Sequence, residues 1–441
     1  MNGSNGAVNA RPTFVRYYVL AALCIITLIN YIQRNSTAGM VEPITRALQT
    51  DDRAIGDATS CFFVAYALFQ IPSGWFAHWW GTRRALTALA IGWSLAAMAI
   101  GLSFTVWGLI ASRTVQGILQ AGIFPCATLI MASWLPPSRR AFASALLNSC
   151  MLTGGAIVNN LNGWLLAPLG WRTLLFVYAV PGILWAIAFY FWFRDRPAEH
   201  SAVNEAERAL IQAGRPAERP NVGRPSYPWM AILLSLPLWL VCTQQFFRAG
   251  ANRFTDQWLP RYLATNPLKH IENEDERKAR ANHLTSMPQY AGVVGGLVGG
   301  LVSDFVLRRT GSRRAARNGV AVASLALTVL SYLPIFWLED AVAQVVFFSL
   351  GSFISAFSAP CAYALSMDIG GKNLPVVFGA MNMIGNFGAA AMSGIVPRLN
   401  GWSGGSWQTT LIVFVGIHAL ALFCWLVLDP RKTIGEESTA S

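Results

Sequence analysis

Two arginines lie inside long apolar stretches of this sequence, where a charge is unfavourable. Arg34 belongs to the run from Tyr17 to Val41, and Arg113 belongs to the run from residue 106 to residue 135. An arginine at the centre of a membrane helix costs about 2.5–3.5 kcal/mol, so such a residue faces protein or water and marks a functional site. Because guanidinium groups bind carboxylates and phosphates through paired hydrogen bonds, the two residues predict a binding site for an organic anion.

The two arginines are predicted to lie at the same depth on helices of opposite direction. Arg34 is about seven residues before the outer end of the first apolar run, and Arg113 is about eight residues after the outer start of the fourth, which places both roughly 10–12 Å below the outer boundary. Each side chain could instead reach the interface or pair with an acid. In the first six runs, the acids nearest that depth are Glu42 and Asp57, which are expected in loops.

The composition is that of a multi-pass membrane protein. Of the 441 residues, 54% are hydrophobic and 12% are charged, whereas ordinary globular proteins have roughly 25% charged residues. A membrane-spanning helix needs about 20 mainly apolar residues. The sequence therefore predicts an all-α integral membrane protein with twelve transmembrane helices, in the windows 17–41, 58–80, 85–104, 106–135, 141–167, 172–193, 229–264, 285–307, 318–338, 341–367, 374–397 and 407–428.

The net charge of +12 is concentrated in every second loop. Positive residues favour the cytoplasmic side of a membrane, so the distribution indicates a lipid bilayer rather than a nucleic acid as the partner. It predicts cytoplasmic termini and a location in the cytoplasmic membrane. The segment 269–280 departs from this pattern because it is basic and acidic together, and it is expected to form a solvated outer loop or a short surface helix.

Two six-helix bundles are predicted on either side of a polar linker. A cytoplasmic tail at 1–16 precedes the first bundle at 17–193, and the second bundle at 229–428 is followed by a tail at 429–441. The linker at 194–228 is rich in Pro, Gly and charge and contains a possible short helix at Asn204–Gln212.

The two bundles repeat one motif after their second helices. Each copy has a glycine, which lets helices approach each other, followed by a short basic turn. The residues are Gly74, Gly81, Arg83 and Arg84 in the first bundle and Gly300, Asp304 and Arg308 in the second. Two parallel repeats of six helices are a known transporter plan, with the binding site between them near the midplane.

Uncharged polar residues recur at helical spacing within the apolar windows. Arg113, Gly117, Gln120 and Phe124 share one face of the fourth helix. Many hydrogen-bonding groups around two cations suit a polyhydroxylated anion, although Asn, Gln and Ser also hold membrane helices together at about 0.6 kcal/mol each. Further candidates are Tyr31, Gln33, Tyr66, Gln70, Gln244, Gln245, Asn252, Tyr363, Ser366, Asn382 and Asn386, and Arg248 could be a third cation or an interfacial anchor.

Glycines in the eighth helix are predicted to allow a close helix contact. Gly292, Gly296 and Gly300 are four residues apart and so share one face. A stripe of small residues lets two backbones approach each other.

Enzyme and sensor functions are not expected. The five histidines and seven cysteines lie singly, without the spacing of a metal site, and neither HExxH nor a phosphate-binding GxxxxGK[ST] loop occurs, so no metal or cofactor is predicted. A membrane sensor would need a signalling domain, for which the linker and the tails have no room.

Several motifs together resemble the anion:cation symporter branch of the major facilitator superfamily, which includes sugar-acid transporters. They are NYIQRN, YALFQIPSGWFAHWWGTRR, SRTVQGILQAGIFP, RDRPAEHSAVNEAERALI and GAMNMIGNFGAA. The resemblance implies alternating access, a gating role for the repeated loop motif, and a hexonate, hexuronate or aldarate as substrate. A monomer is expected. It also implies that Arg34, Arg113, Tyr31 and Tyr66 hold the sugar acid, next to Gln33 and Gln120, and that Asn382 and Asn386 complete the site.

The sequence departs from that family at the residues that carry the proton. Gln33 and Gln120 stand where the family usually has acids, and glutamine cannot titrate. Three coupling modes stay open: a uniporter or anion exchanger, a sodium-coupled carrier, or a carrier whose proton site has moved to Asp256 or Asp368.

Overall fold

A computed structural model describes residues 11–212, 234–370 and 374–428. The described chain is helical throughout, as the apolar windows predict. Part of the linker and both tails lie outside the described residues, as does the side chain of Asp368. The first half contains α1 Val15–Asn35, α2 Val41–Leu48, α3 Asp52–Trp80, α4 Thr82–Gly101, α5 Val106–Gln120, α6 Ile123–Trp134 and α7 Pro137–Trp192, and α8 Glu205–Gln212 lies in the linker.

The second half repeats the alternation of long helices and short turns. Ten helices in the described chain are long and apolar enough to cross a membrane. The helices of the second half are α9 Leu236–Arg253, α10 Leu259–Thr265, α11 Glu274–Thr310, α12 Val320–Tyr332, α13 Ala341–Ser355, α14 Ser358–Gly370, α15 Leu374–Trp402 and α16 Trp407–Val427.

The 56-residue helix α7 contains both the fifth and the sixth predicted windows. Its backbone turns at Gly170, where φ is 70°. This left-handed conformation favours glycine, because a β-carbon would come too close to the backbone of the residue itself. A straight helix of this length would be far longer than the roughly 30 Å hydrocarbon core of a membrane. The glycine thus lies where the sequence predicts the break between windows 141–167 and 172–193.

Three long helices lose regular α-geometry near the middle of the molecule. After α1 ends at Asn35, residues Ser36–Met40 form a 3₁₀ turn. A break at residues 121–122 separates α5 from α6, and a π-helical turn, Phe254–Trp258, joins α9 to α10. Such irregular turns are frequent at functional sites because they re-aim side chains and free backbone groups.

The larger of two apolar clusters shared by the halves in the described chain lies at the end of the molecule that holds α2, here called the far end. It combines Val41 and Ile55 of the first half with Trp258, Phe348 and Phe414 of the second. The smaller one contains Phe62, Phe63 and Tyr66 of α3 together with Ala389 and Ala390 of α15. The opposite end, where α1 begins and α16 ends, is called the terminus end. Its buried clusters each belong to a single half, one containing Val15 and Phe193 and the other containing Val377 and Leu428.

The segment 269–280 continues into a long helix. Residues 269–273 form a turn and a short non-helical stretch, and helix α11 begins at Glu274 and extends to Thr310. Asn273 caps the start of the helix by accepting hydrogen bonds from the backbone amides of Asp275 and Glu276. Most charges of the segment are exposed, as composition predicts, but Glu274 accepts a hydrogen bond from Arg46 of the first half at 2.8 Å.

The glycine stripe predicted in α11 is wrong by one position. A β-carbon at Gly296 would meet nothing within 4 Å, and those at Gly292 and Gly300 would be 3.9 and 3.8 Å from their nearest neighbours. A β-carbon at Gly295 would instead overlap the carbonyl oxygen of Phe353 in α13. The sequence contains two interleaved glycine stripes, and its periodicity does not say which one faces a neighbour.

The linker helix α8 confirms the helix predicted at Asn204–Gln212 and docks on the first half. Glu207 is fully buried, pairs with the Arg16 guanidinium at 3.0 Å and accepts a hydrogen bond from the Arg16 backbone amide, also at 3.0 Å. A carboxylate at the start of α1 also compensates the positive end of the helix dipole. The described part of the linker is therefore fixed to the first half.

Candidate anion-binding site

Arg34 lies in the last turn of α1, and its guanidinium is held between aromatic rings. Its residue surface is 5% exposed, and its Cζ lies 4.5 Å from the Tyr31 ring centroid and 4.4 Å from that of Tyr66. Nε donates to Gln120 Oε1 at 3.0 Å, and Nη1 donates to the Tyr31 hydroxyl at 3.0 Å. Nη2 is buried and makes no hydrogen bond. A buried donor of this kind is costly to leave unpaired, which marks the place for an acceptor that is not part of the protein.

Arg113 lies beside Arg34, as the matched depths predict. Its Nη1 donates to the Arg34 carbonyl oxygen at 3.2 Å and to Gln116 Oε1 at 2.8 Å. Like Arg34, Arg113 is almost fully buried. Neither arginine forms an ion pair in the described chain, so two buried positive charges share one region without a carboxylate.

The ring of Phe62 lies against both guanidinium groups. The Cζ atoms of Arg34 and Arg113 are 5.3 and 4.8 Å from its centroid. Aromatic faces attract cations, and the attraction is stronger where water is excluded. Phe62 is fully buried and stacks on Tyr66 at 6.1 Å. The aromatic residues of α3 therefore orient the two arginines without neutralising them.

A third arginine, which the sequence analysis did not select, reaches the same region from the second half. Arg253 ends α9, and its Cζ lies 5.0 Å from the ring centroid of Phe63, the neighbour of Phe62. Its Nη1 is 3.5 Å from Asn35 Oδ1 of the first half, and its Nη2 donates to Asp256. The sequence analysis selected Arg248 and Asn252 of this window but not Arg253, although Arg253 is no nearer to the end of its window at 264 than Arg34 is to Val41.

Asp256, one of the two acids considered for a relocated proton site, belongs to the π-helical turn. It is bound to Arg253, and its Oδ1 accepts a longer hydrogen bond from Gln289 Nε2 at 3.5 Å. Gln289 Oε1 in turn accepts from Asn159 Nδ2 of the first half at 2.8 Å. Arg253, Asp256 and Gln289 thus form a polar chain that ends at Asn159, on the opposite half.

The other predicted residues of the first half divide into two groups. Tyr31, Tyr66 and Gln120 contact Arg34, as described above. The Gln33 amide is directed elsewhere, into the packing of the first half, where it donates to Ser94 Oγ at 3.2 Å and to the Tyr178 carbonyl oxygen at 2.9 Å. Gln33 therefore fixes the rotation of α1 but has no described contact with the Arg34 guanidinium.

One of the two predicted asparagines of the second half contacts the first half. Asn382 Nδ2 donates to Gln70 Oε1 at 3.0 Å, which links α15 to α3. Asn386 Nδ2 donates to the Asn382 carbonyl oxygen at 2.8 Å, within α15.

The remaining candidates of the second half mostly bond within their own helices or beside them. Gln244 donates to Val241, Gln245 accepts from Arg248 Nε at 3.0 Å, and Asn252 accepts from Thr255 through its backbone. The last two are Ser366, which bonds Ala362 and Met381, and Tyr363, whose ring packs against Phe378. No described contact ties these five residues to Arg34 or Arg113.

Gln116 and Phe62 are further members of the site that the sequence analysis did not select. Gln116 is fully buried and bonded to Arg113. Its position three residues after Arg113 places it on the same helical face, and this spacing was a usable signal. Phe62 gave no such signal, since an aromatic residue in an apolar window is ordinary.

The glycine-and-basic motifs after α3 and within α11 contact their own halves. Gly81 has a φ of 84° and lies against Asp195, whose Oδ1 accepts from the Arg83 backbone amide at 2.8 Å. A β-carbon at Gly74 would lie 3.4 Å from Pro125. In the second half Gly300 lies close to Pro360, Asp304 pairs with Arg317 at 3.7 Å, and Arg84 and Arg308 are exposed.

Ion pairs join the halves above the arginine site, at the far end. Arg398 binds both oxygens of Asp57 at 2.7 and 3.0 Å, and Arg261 binds Asp52 at 3.0 Å. Glu42 accepts from Arg261 at 3.3 Å. Together with the pair between Arg46 and Glu274, these contacts are called the far-end gate. They close the far end over the three arginines.

Comparison with known proteins identifies the family. The profile described as the Major Facilitator Superfamily matches residues 23–393. The chain belongs to the Major Facilitator Superfamily. It is 29% identical over 423 residues to a probable sulfoacetate transporter of Cupriavidus necator, covering 95% of each chain. A probable galactarate/D-glucarate transporter of Bacillus subtilis is 28% identical over 446 residues, covering 96% of this chain and 94% of the relative. These relatives are consistent with the anion:cation symporter branch.

Solved transporters of the superfamily share the fold. A bacterial homologue of the human lysosomal transporter Spinster, in an inward-facing and occupied conformation, aligns with a TM-score of 0.71 at 18% identity, covering 94% of this chain and 96% of that chain. A D-xylose-proton symporter aligns with a TM-score of 0.69 at 14% identity, covering 95% and 99%. The protein is thus a multi-pass membrane transporter of this superfamily and not an enzyme.

Proposed function

We propose that the protein is a secondary transporter of an organic anion, a sugar acid or a sulfonated carboxylic acid, in the cytoplasmic membrane. The observation that carries the proposal is the buried, unpaired Nη2 of Arg34 next to the equally buried Arg113. Two uncompensated guanidinium groups favour an incoming carboxylate or sulfonate. The relatives named for sulfoacetate and for galactarate/D-glucarate support the same chemistry.

In this proposal the substrate enters between two six-helix bundles with cytoplasmic termini. The acid group binds Arg34 and Arg113, while Tyr31, Tyr66 and Gln120 bind the adjacent hydroxyl groups. Gln33 positions Arg34 through the packing of α1, and Asn382 and Asn386 close around the far part of the substrate. The far-end gate supports a conformation that is closed to the outside.

The distribution of contacts supports alternating access. The larger apolar core shared by both halves lies at the far end, whereas the clusters of the terminus end each belong to one half. Rocking of one half against the other would break the far-end gate and open the site on that side. Because Gln33 and Gln120 cannot carry a proton, they favour uniport or anion exchange over proton symport.

The experiment is counterflow in proteoliposomes loaded with one anion and supplied with its labelled form. Galactarate, glucarate, gluconate, glucuronate and sulfoacetate form the panel, and glucose is the uncharged control. We expect uptake of at least one of the anions and none of glucose. Arg34→Ala and Arg113→Ala are each expected to lower kcat/KM at least 100-fold.

A matched control comes from Arg172, whose guanidinium packs on Trp171 and bonds the Ser103 carbonyl oxygen at the far end of the first half. Arg172→Gln should keep uptake within about threefold of the unmodified protein. Near-normal uptake by the Arg34→Ala protein would refute the proposed site. Failure to take up any organic anion would refute the proposed function.

A further inference from the structure

Building on the proposed function, we infer that the transported anion carries two acid groups and that Arg253 binds the second one. Arg34 and Arg113 belong to the first half, while Arg253 belongs to the second. Phe62 and Phe63 lie between them, with ring centroids 5.0 Å apart. A molecule with an acid group at each end could therefore bind an arginine of both halves at once.

The charges around Phe62 and Phe63 support a dianion. Three guanidinium groups contact these two rings, and Asp256 is the carboxylate bonded to one of them. In this described cluster the positive charge exceeds the negative charge by two. Removing a charge from water is costly unless an opposite charge compensates it. A dianion balances the cluster, whereas a monoanion leaves one guanidinium without a counter-charge.

Asp256 occupies the position on Arg253 that the second acid group would take. The pair is mostly enclosed, with 13% of the Arg253 side chain and 23% of the Asp256 side chain exposed. Because the pair is mostly buried, the exchange requires that the incoming carboxylate replaces Asp256 on Arg253 and that Asp256 finds another donor. Gln289 Nε2, already 3.5 Å from Asp256 Oδ1, can hold the displaced carboxylate.

The position of Arg253 gives this exchange a consequence for transport. Its guanidinium extends across the boundary to Asn35 Oδ1 of the first half, directly after Arg34 in the chain. Arg253 is also the last residue of α9, directly before the π-helical turn. A dianion held by both halves stabilises the conformation in which they are closest, whereas a monoanion lacks that bridge. Arg248 does not compete for this role, because it bonds Gln245 on another face of α9.

The test compares anions that differ only in the second acid group. The pairs are glucarate with gluconate and sulfoacetate with methanesulfonate, measured by counterflow and by inhibition of labelled dianion uptake. We expect at least a tenfold preference for the dianion in the pair that the protein transports. Equal uptake or equal inhibition by the monoanion would overturn the inference and leave the proposed function standing. Absence of uptake for these four and for the other anions of the counterflow panel would overturn both.

Two variants locate the preference. Arg253→Gln should lower dianion affinity at least tenfold and change monoanion affinity less than twofold, while Arg172→Gln should leave the dianion-to-monoanion ratio unchanged. Equal losses for both anions would contradict the assignment.

If Arg253→Gln fails to elute as a folded peak in detergent, the Asp256→Asn variant provides the test, because it removes the carboxylate bound to Arg253. It should tighten dianion inhibition about threefold, and weaker inhibition would overturn the inference.

Discussion

At the scale of single residues, the arrangement depends on arginines that have aromatic and amide neighbours instead of acids. Gln120 is the clearest case, because its Oε1 lies 3.0 Å from Arg34 Nε. An amide at this place orients the guanidinium and leaves its charge available to a ligand. A carboxylate at the same place would bind Arg34 and compete with the substrate.

Gln120→Glu should therefore make transport depend on pH. Near neutral pH the introduced carboxylate is ionised and pairs with Arg34, and at lower pH it is protonated and releases the guanidinium. We expect counterflow by the variant to be at least fivefold faster at pH 5.5 than at pH 7.5, whereas the unmodified protein changes less than twofold.

The same preparation tests coupling in the unmodified protein. A pH gradient alone should drive no accumulation, since neither Gln33 nor Gln120 can carry a proton. Accumulation against a concentration gradient under these conditions would contradict the argument from the glutamines and direct attention to Asp256.

The sequence predicted the proximity of two arginines of the candidate site. Arginines inside apolar windows are informative because burial without a function is costly, and Arg34 and Arg113 do lie together. Arg253 also lies inside an apolar window, 229–264, but the sequence does not show that it reaches the same region. Its position depends on the rotation of α9 and on the π-helical turn after it, and neither is encoded in the spacing of apolar residues.

At the scale of helices, close backbone contacts determine how the arginines are presented. A β-carbon at Gly117 in α5 would overlap the Phe62 carbonyl oxygen in α3. This contact brings the helix that carries Arg113 next to the ring that supports it. In the second half the contact between Gly295 and Phe353 joins α11 to α13 in the same manner.

Two adjacent glycines of α11 provide a matched test of helix contact. Gly295→Ala must displace the α13 backbone and should cost about 1–3 kcal/mol, as overpacking does in well-packed interiors. Gly296→Ala has open space and should have an effect below about 0.5 kcal/mol. Thermal unfolding in detergent measures both. Equal melting temperatures for the two variants would show that the helices separate without cost.

Helix contacts also show the limits of reading the sequence. The apolar windows locate the helices to within a few residues, and they locate the turn at Gly170. They do not identify which glycine stripe of α11 faces a neighbour, because a stripe is defined by its partner as much as by its spacing. Composition likewise predicts an exposed start of α11 but does not show that Glu274 reaches Arg46 of the first half.

At the scale of the whole molecule, the far-end gate should control which side of the membrane reaches the site. Its pair between Asp57 and Arg398 joins α3 to α15 through two hydrogen bonds. Reversing one charge places two like charges side by side and favours separation of the halves. The far-end gate therefore affects the rate at which the closed and open conformations of the far end interconvert more than it affects the affinity for substrate.

Charge reversal tests this assignment. Asp57→Arg and Arg398→Asp should each slow counterflow at least fivefold, and the double variant should recover to within about threefold of the unmodified protein. Substrate inhibition constants should change little in all three. Failure of the double variant to recover, with normal folding, would mean that the pair has no part in gating.

The buried contact between Glu207 and Arg16 ties the beginning of the connecting segment to the first bundle. A polypeptide that ends shortly after Gln212 would thus keep the contact of Glu207 with the amino end of α1. The first described helix of the second bundle begins at Leu236. This bundle contacts the first bundle through the far-end gate and the shared core at the far end. Covalent continuity between the bundles is then dispensable, and two separately translated fragments should reassemble into a working carrier.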